Sequence, residues 1–496
     1  MTEGDVEHRE EVARTTRESA IYLVSKIVPF LCNLLFIKFY TVYFTPDVIG
    51  EYETILALAM MASSLAVGWL QISLLRFYPK SQRENQTDTL VMAISIGFVA
   101  AVLLALFIGL ILWLFRETAW GGSLYFNLLP WVGVLFLANC FFILTTTLLR
   151  ARRFPIRFSI ASASYSLFNL SFGFLFALFI GSFLLSLVAG TAVALLIPSL
   201  AILFFARRGS QEDSSQGQGW RSMMGSLLAF GLPLSINQAA SQILNLSDRY
   251  LILILLGDTE AGLYSVVYRI GDFAVRFVIL SLMMSAYTSV TETFEHKGRE
   301  AAERLVSSLT RIYLLLAVPL VVGFWMVQRE VVDVLAGSEY LGSAHILGWI
   351  LLGNFFLGLS QYANFGLHLS HRTMALAGLT LFAAVLNLIL NWILLPLYGY
   401  PAAAYTTCLS FGFLAVATPF FANRHLSWRV SMVSLARILI ATLVFSGVVH
   451  LLRFLTESNL VNLVLQASLG AVFYFLALLI LGEISWKDIK GIQTPR

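Results

Sequence analysis

From about residue 20 to residue 482 the chain alternates long apolar runs with short polar breaks. A helix needs about 20 apolar residues to cross a bilayer. Fourteen runs of that kind can be placed, near residues 20–44, 51–75, 88–115, 124–149, 156–180, 183–206, 223–256, 261–290, 307–328, 344–369, 373–396, 400–422, 433–455 and 459–482. A membrane barrel would instead show alternating segments of about ten residues. None is visible, and helices are the remaining way to satisfy the backbone in lipid. The pattern predicts an all-α integral membrane protein with about 14 transmembrane helices.

Composition agrees, since 58% of the 496 residues are hydrophobic and only 12% charged, with a mean hydropathy of +0.81. A soluble domain holds roughly a quarter charged residues. Net charge is +4, too small for a nucleic-acid footprint, so no nucleic acid is expected as a partner. Cys32, Cys140 and Cys408 lie in apolar runs without C-x-x-C spacing and read as small buried hydrophobes. The first 19 residues are polar and acidic and lack the apolar core of a signal peptide, so none is expected.

Where the basic residues fall is more informative than their sum. With the N-terminal tail taken as side one, that side's loops hold 24 of the 32 Lys and Arg, and the opposite loops hold three, Arg116, Arg329 and Arg453. Lys and Arg accumulate in cytoplasmic loops. Both termini are therefore expected in the cytoplasm of a multi-pass protein of the cytoplasmic membrane. Five basic residues remain inside the apolar runs: Lys26, Lys38, Arg249, Arg269 and Arg276.

Two weak internal echoes suggest a repeat. Gly50-Glu51-Tyr52 returns as Gly262-Leu263-Tyr264, an offset of 212, and Asn169-Leu170 returns as Asn387-Leu388, an offset of 218. Six helices per half would make the repeat parallel, and parallel repeats place a substrate path at their interface. The expected organisation is a tail (1–19), an N-lobe of helices 1–6 (20–206), a Gly-, Ser- and Gln-rich linker (207–222), a C-lobe of helices 7–12 (223–430), and a final helix pair with a tail (431–496).

Residues 230–270, FGLPLSINQAASQILNLSDRYLILILLGDTEAGLYSVVYRI, and residues 387–410, NLILNWILLPLYGYPAAAYTTCLS, resemble the seventh-to-eighth and eleventh-to-twelfth helix regions of polysaccharide and oligosaccharide-lipid exporters. These Wzx-type flippases belong, with lipid II flippases and MATE drug exporters, to the multidrug/oligosaccharidyl-lipid/polysaccharide superfamily. The sequence departs from the pattern at Pro401, which is followed by Ala402, Ala403 and Ala404 where a glycine usually opens the small-residue run. Alanine also permits close helix packing. The resemblance implies two six-helix lobes around a central cavity, a transporter and not an enzyme, and export of a polyprenyl-diphosphate-linked oligosaccharide for surface polysaccharide synthesis. It implies no cofactor, leaves a coupling ion (H+ or Na+) open, and suggests polymerase and assembly proteins as partners. The alternative is a cation-coupled MATE-type multidrug exporter, although residues 20–44 hold two lysines and no acid.

An ionisable residue inside a bilayer costs at least about 2.5 kcal/mol on the insertion scale. Counting residues places Arg249, Arg269 and Lys38 at a similar depth, with Lys26 nearer the cytoplasmic end. These four with Arg276 are the candidate binding residues for an anionic head group, because Arg meets phosphate oxygens with a two-pronged fork. Asp248 and Asp272 are the supporting acids, Asp248 holding Arg249. The competing reading makes Asp248 with Arg249, and Asp272 with Arg276 or Arg269, structural ion pairs that lock helices. Glu51 and Glu53 read as helix-start acids complementing the dipole. His368 and His371 lack a third ligand, so no metal site is expected. Pro29, Pro233, Pro319 and Pro396 are candidate kinks.

Overall fold

The computed structural model describes residues 27–114, 127–181, 183–207, 219–370, 372–424, 426, 429, 431–453 and 459–484. Among the described residues every regular element is a helix. In chain order they are α1 (Ile27–Tyr43), α2 (Pro46–Arg83), α3 (Thr87–Leu114), α4 (Leu129–Ala151), α5 (Pro155–Ile180), α6 (Leu184–Arg207), α7 (Trp220–Leu256), α8 (Asp258–Lys297) and α9 (Arg299–Met326). They continue as the short α10 (Gln328–Leu335), a 3-10 stretch (Ser338–Ile346), α11 (Leu347–Leu369), α12 (Thr373–Tyr398), α13 (Pro401–Ala422), α14 (Met432–Leu452) and α15 (Asn459–Ile480).

Among the described residues, twelve helices are long and apolar enough to cross a membrane, and Val28–Tyr43 forms a shorter apolar one. The sequence reading expected fourteen crossings. The other two runs are the one at 20–44, described only from Ile27 onward as α1, and the one in α8, which carries Arg269, Asp272 and Arg276 in its middle. Helices α2, α7 and α8 have 38, 37 and 40 residues. At 1.5 Å per residue each is roughly 55–60 Å long, nearly twice the hydrocarbon thickness. Their polar ends, with Lys80 and Arg83 on α2 and Lys297 on α8, accordingly extend past an apolar layer.

Contact density divides the chain into two compact units, one of residues 1–265 with 380–400, the other of residues 266–379 with 401–496. In the first unit, α2 lies along α7, and Ser73 Oγ donates to Leu227 O at 2.9 Å. The closest approach is between the first turns of α2 and α8. A Cβ on Gly50 would fall 1.9 Å from Asp258 O, and one on Gly262 would fall 1.8 Å from Pro46 O. The relation is reciprocal: Pro46 stands to Gly50 as Asp258 stands to Gly262, and each glycine meets the other's partner. That is the geometry of a local two-fold. It gives the Gly-x-Tyr echo a physical cause, since neither helix start tolerates a side chain at that position.

In the second unit the last helix pair, α14 and α15, docks on α9. Pro319 inside α9 cannot bond to the carbonyl four residues earlier. That carbonyl, Leu315 O, instead accepts from Tyr474 OH of α15 at 2.8 Å. Just beyond α15, Glu483 is 2% exposed. It accepts from Ser434 Oγ of α14 and from Arg311 Nε of α9 at 2.6 Å, with Arg437 Nη1 3.5 Å away. Burial alone would push its carboxyl up. The Ser434 and Arg311 hydrogen bonds, with the arginine charges, overcome that and hold it below the ordinary glutamate value. The three cysteines are buried and unpaired.

Two predictions follow from these joints. Gly262→Val is expected to lower the melting temperature and membrane level sharply, while Gly109→Ala, with nothing within 4 Å of the added carbon, leaves both unchanged in thermal-shift and expression assays. For Glu483, a folded value below the unfolded one of about 4.3 means its contribution is complete above that pH and lost as pH falls through the folded value. Hydrogen exchange of α14 and α15 should therefore show this contribution flat from about pH 8 to about pH 5 and lost in stronger acid. Glu483→Gln should remove the acid-dependent part.

Candidate functional site

The charged step in α7, Asp248 and Arg249, lies about 10 Å from the helix end at Leu256. Asp248 is 2% exposed and Arg249 8%. Successive residues on a helix point about 100° apart, and the two neighbours reach different partners. Asp248 Oδ2 accepts from Tyr264 OH of α8 at 2.9 Å, and Oδ1 accepts from Asn391 Nδ2 of α12 at 2.7 Å. Asn391 Nδ2 also lies 3.2 Å from Asn387 Oδ1, four residues away on the same face. Charge-assisted hydrogen bonds of this kind contribute about 1.5–3 kcal/mol each.

Arg249 turns instead to α2, where its Nε lies 3.9 Å from Glu53 Oε2. That is beyond hydrogen-bond length, so charge attraction holds this contact. The expected capping role of Glu53 is therefore corrected. The helix begins at Pro46, not near residue 51, and its first-turn acid is Asp47. Glu53 falls in the third turn, 2% exposed and inside the protein. With Asp248 and Arg249 it makes a buried group of two carboxylates and one guanidinium, all in the first unit.

The same unit contains a counterpart network. Tyr52 OH donates to Thr191 Oγ1 at 2.8 Å, and Thr191 Oγ1 donates to Asn169 Oδ1 at 2.9 Å. Both echoes found in the sequence thus take part in equivalent polar joins, Tyr52 with Asn169 and Tyr264 with Asn387. The two differ at one position. Sixteen residues before Tyr264 stands Asp248, whereas sixteen before Tyr52 stands Phe36, whose ring lies 6.5 Å from that of Tyr52.

The other expected residues are placed as follows. Lys38 is exposed on α1. Arg269, Asp272 and Arg276 belong to the second unit. There Arg276 Nη2 lies 2.7 Å from Asp272 Oδ1 as an i,i+4 pair, and Arg269 is half-buried. Lys26, His371 and residues 208–218 of the linker lie outside the described residues. Sequence reasoning missed the roles of Glu53, Tyr264 and Asn391. A signal for the last existed in Asn387 and Asn391, two amides at i,i+4 within an apolar run.

Comparison with known proteins adds a family. The model described as polysaccharide biosynthesis protein matches residues 15–293, more than half of the chain, and the MatE model matches residues 233–393. A Haloferax volcanii protein named as a probable low-salt glycan biosynthesis flippase is 24% identical over 248 residues, covering 49% of this chain and 52% of that protein. The chain thus spans about half the length of that relative. A solved structure of the lipid II flippase MurJ, in an inward closed conformation, covers 93% of this chain and 98% of its own at 14% identity, with a TM-score of 0.75. An inward-facing multidrug resistance MATE family transporter of the MOP superfamily covers 81% of this chain and 97% of its own at 14% identity, with a TM-score of 0.60. At such identities the likeness is one of fold.

The Asp248 joint makes a prediction of its own. Taking one hydrogen-bond donor away from a buried carboxylate costs about 1–3 kcal/mol or more. Asn391→Leu is expected to destabilise the protein more than Asn169→Leu, whose network carries no charge, in matched thermal unfolding of the two variants.

Proposed function

Because the chain belongs to the polysaccharide biosynthesis protein family, we propose that it is a flippase, moving a polyprenyl-diphosphate-linked oligosaccharide across the cytoplasmic membrane by alternating access. The observation that supports this most directly is Arg249, a buried guanidinium in a membrane helix. A diphosphate carries at least two negative charges and needs neutralisation away from water. Arg249, with Lys26, Lys38, Arg269 and Arg276 as further cations, supplies the required sign. The 24-to-3 distribution of basic loop residues supports an orientation with both termini in the cytoplasm. Outward movement of an anion is favoured by an inside-negative potential, by about 2.3 kcal/mol per charge per 100 mV, so the reading requires no cofactor and no coupling ion. Polymerase and assembly proteins would receive the product on the outer face.

The second reading, a cation-coupled drug exporter, has its own support in the MatE match and in the buried carboxylates Asp248 and Glu53. Against it, Asp248 is already bonded by Tyr264 and Asn391.

Transport of a fluorescent polyprenyl-diphosphate oligosaccharide in sealed vesicles separates the two. Wild type is expected to move the lipid. Arg249→Ala is expected to lose roughly 30-fold or more, the cost of losing one member of a buried charge contact, at normal membrane levels, and Arg269→Ala to lose less because the side chain is only half-buried. Lys38→Ala is expected to lose less because the side chain is exposed. Extrusion of a cationic dye with no lipid movement would establish the exporter instead.

A further inference from the structure

The second unit holds a long apolar groove that the proposed transport does not use. It has a volume of about 920 Å³ and runs between α9 and α15, with Phe445 and Val449 of α14 in its lining. Two glycines make room for it. A Cβ on Gly323 of α9 would lie 2.8 Å from Phe445 Cζ, and one on Gly470 of α15 would lie 2.7 Å from Phe445 Cε2. The ring therefore stands between the two helices and keeps them apart. On α9 the lining runs from Arg311 to Val327, sixteen positions and about 24 Å along the helix, against a hydrocarbon layer of about 30 Å. Of its 24 lining residues only Arg311, Gln466, Tyr474 and Glu483 carry polar side chains, and Tyr474 OH is spent on Leu315 O. Apolar cavities stay dry. At bilayer depth the other solvent is hydrocarbon, so a lipid chain is what fills such a groove.

One end of the groove is charged. Arg311 and Glu483 line it there, at the end of α9 proposed above to face the cytoplasm. Arg311 donates from Nε to Glu483 Oε1 at 2.6 Å and from Nη2 to Glu483 O. Arg437 donates from Nη1 to Gly482 O at 3.1 Å and lies 3.5 Å from Glu483 Oε2. A guanidinium has five N–H donors, so both arginines keep donors unspent among the described residues. Their side chains are 44% and 39% exposed, whereas Glu483 is 2% exposed. Two arginines from two helices thus stand on one buried carboxylate, at the mouth of a groove of acyl-chain character. Basic pockets between membrane helices on the cytoplasmic side suit anionic lipid head groups. We propose that this groove is a binding site for an anionic phospholipid of the cytoplasmic leaflet, its phosphate held by Arg311 and Arg437 and one acyl chain lying between α9 and α15. The lipid completes the joint between α9 and the last helix pair where the Phe445 ring holds the helices apart. The site stands whether or not the chain moves a lipid-linked oligosaccharide.

The experiment uses the full chain, purified in detergent for native mass spectrometry and placed in phosphatidylcholine nanodiscs into which phosphatidylglycerol is titrated. Wild type is expected to retain phosphatidylglycerol through purification and to rise in melting temperature as that lipid is added. Arg437→Gln leaves the Arg311 contact with Glu483 in place and should weaken binding about fivefold, the effect of one basic group beside an anionic head group. Ala471→Phe narrows the groove with both arginines intact and should lose the retained lipid. If that variant does not fold, Ala467→Leu tests the same wall. Arg304→Gln, at an exposed position of α9 outside the groove, should behave as wild type. Retention of a polyprenyl phosphate in place of phosphatidylglycerol overturns the proposal. Equal stabilisation by phosphatidylcholine or by inorganic phosphate overturns it too, as does unchanged retention in folded Arg437→Gln or groove-filling variants, or a dimer that retains no lipid.

Discussion

A charge taken out of water inside a bilayer must find its counter-charge and its hydrogen bonds within the protein, and the buried polar positions of this chain follow from that constraint. Asp248 has two donors from two other helices, and Arg249 has a carboxylate from a third. Four helices, α2, α7, α8 and α12, are thereby tied at one level by polar groups. Helix association in lipid lacks a hydrophobic driving force, since lipid tails are as apolar as leucine, so such ties and close backbone contact take its place. The crossing of α2 and α8 at Gly50 and Gly262 is the close contact, and the Asp248 network sits two residues along from it at Tyr264.

The two-fold relation at that crossing explains why one half of the molecule carries chemistry that the other does not. Equivalent tyrosines start α2 and α8 in the same register, and each joins a polar network that includes an asparagine of a later helix. In the N-terminal half the position facing the tyrosine is Phe36, and the join is an aromatic contact beside a neutral hydrogen-bond chain. In the C-terminal half it is Asp248, and the same geometry holds a charge. A duplicated scaffold thus carries a charged network in one half while the other keeps the packing role.

The sequence made the helices and their breaks legible because lipid leaves few ways to satisfy a backbone. It also set Arg249, Arg269 and Arg276 apart, since the sequence reading assigned every other basic residue but Lys26 and Lys38 to the loops. It did not reveal that Glu53 meets Arg249. The apolar run was read from residue 51, while α2 begins five residues earlier at Pro46, and that shift moves Glu53 from the first turn to the third. Nor could it pair Asp248 with Asn391, because the 143 residues between them leave no periodicity to follow. The Gly-x-Tyr and Asn-Leu echoes were legible as letters, but their meaning depended on the reciprocal backbone contact.

Charge balance then bears on how such a site would work. Two acids, Glu53 and Asp248, stand beside Arg249, so an anionic cargo meeting Arg249 would draw on the further cations as well. Asp248 is fixed by two short hydrogen bonds, and Arg249 lies 3.9 Å from Glu53 of a third helix. The adjacent Asp and Arg therefore reach different helices, which an ion pair between the two neighbours could not do: the acid joins α8 and α12, and the base faces α2.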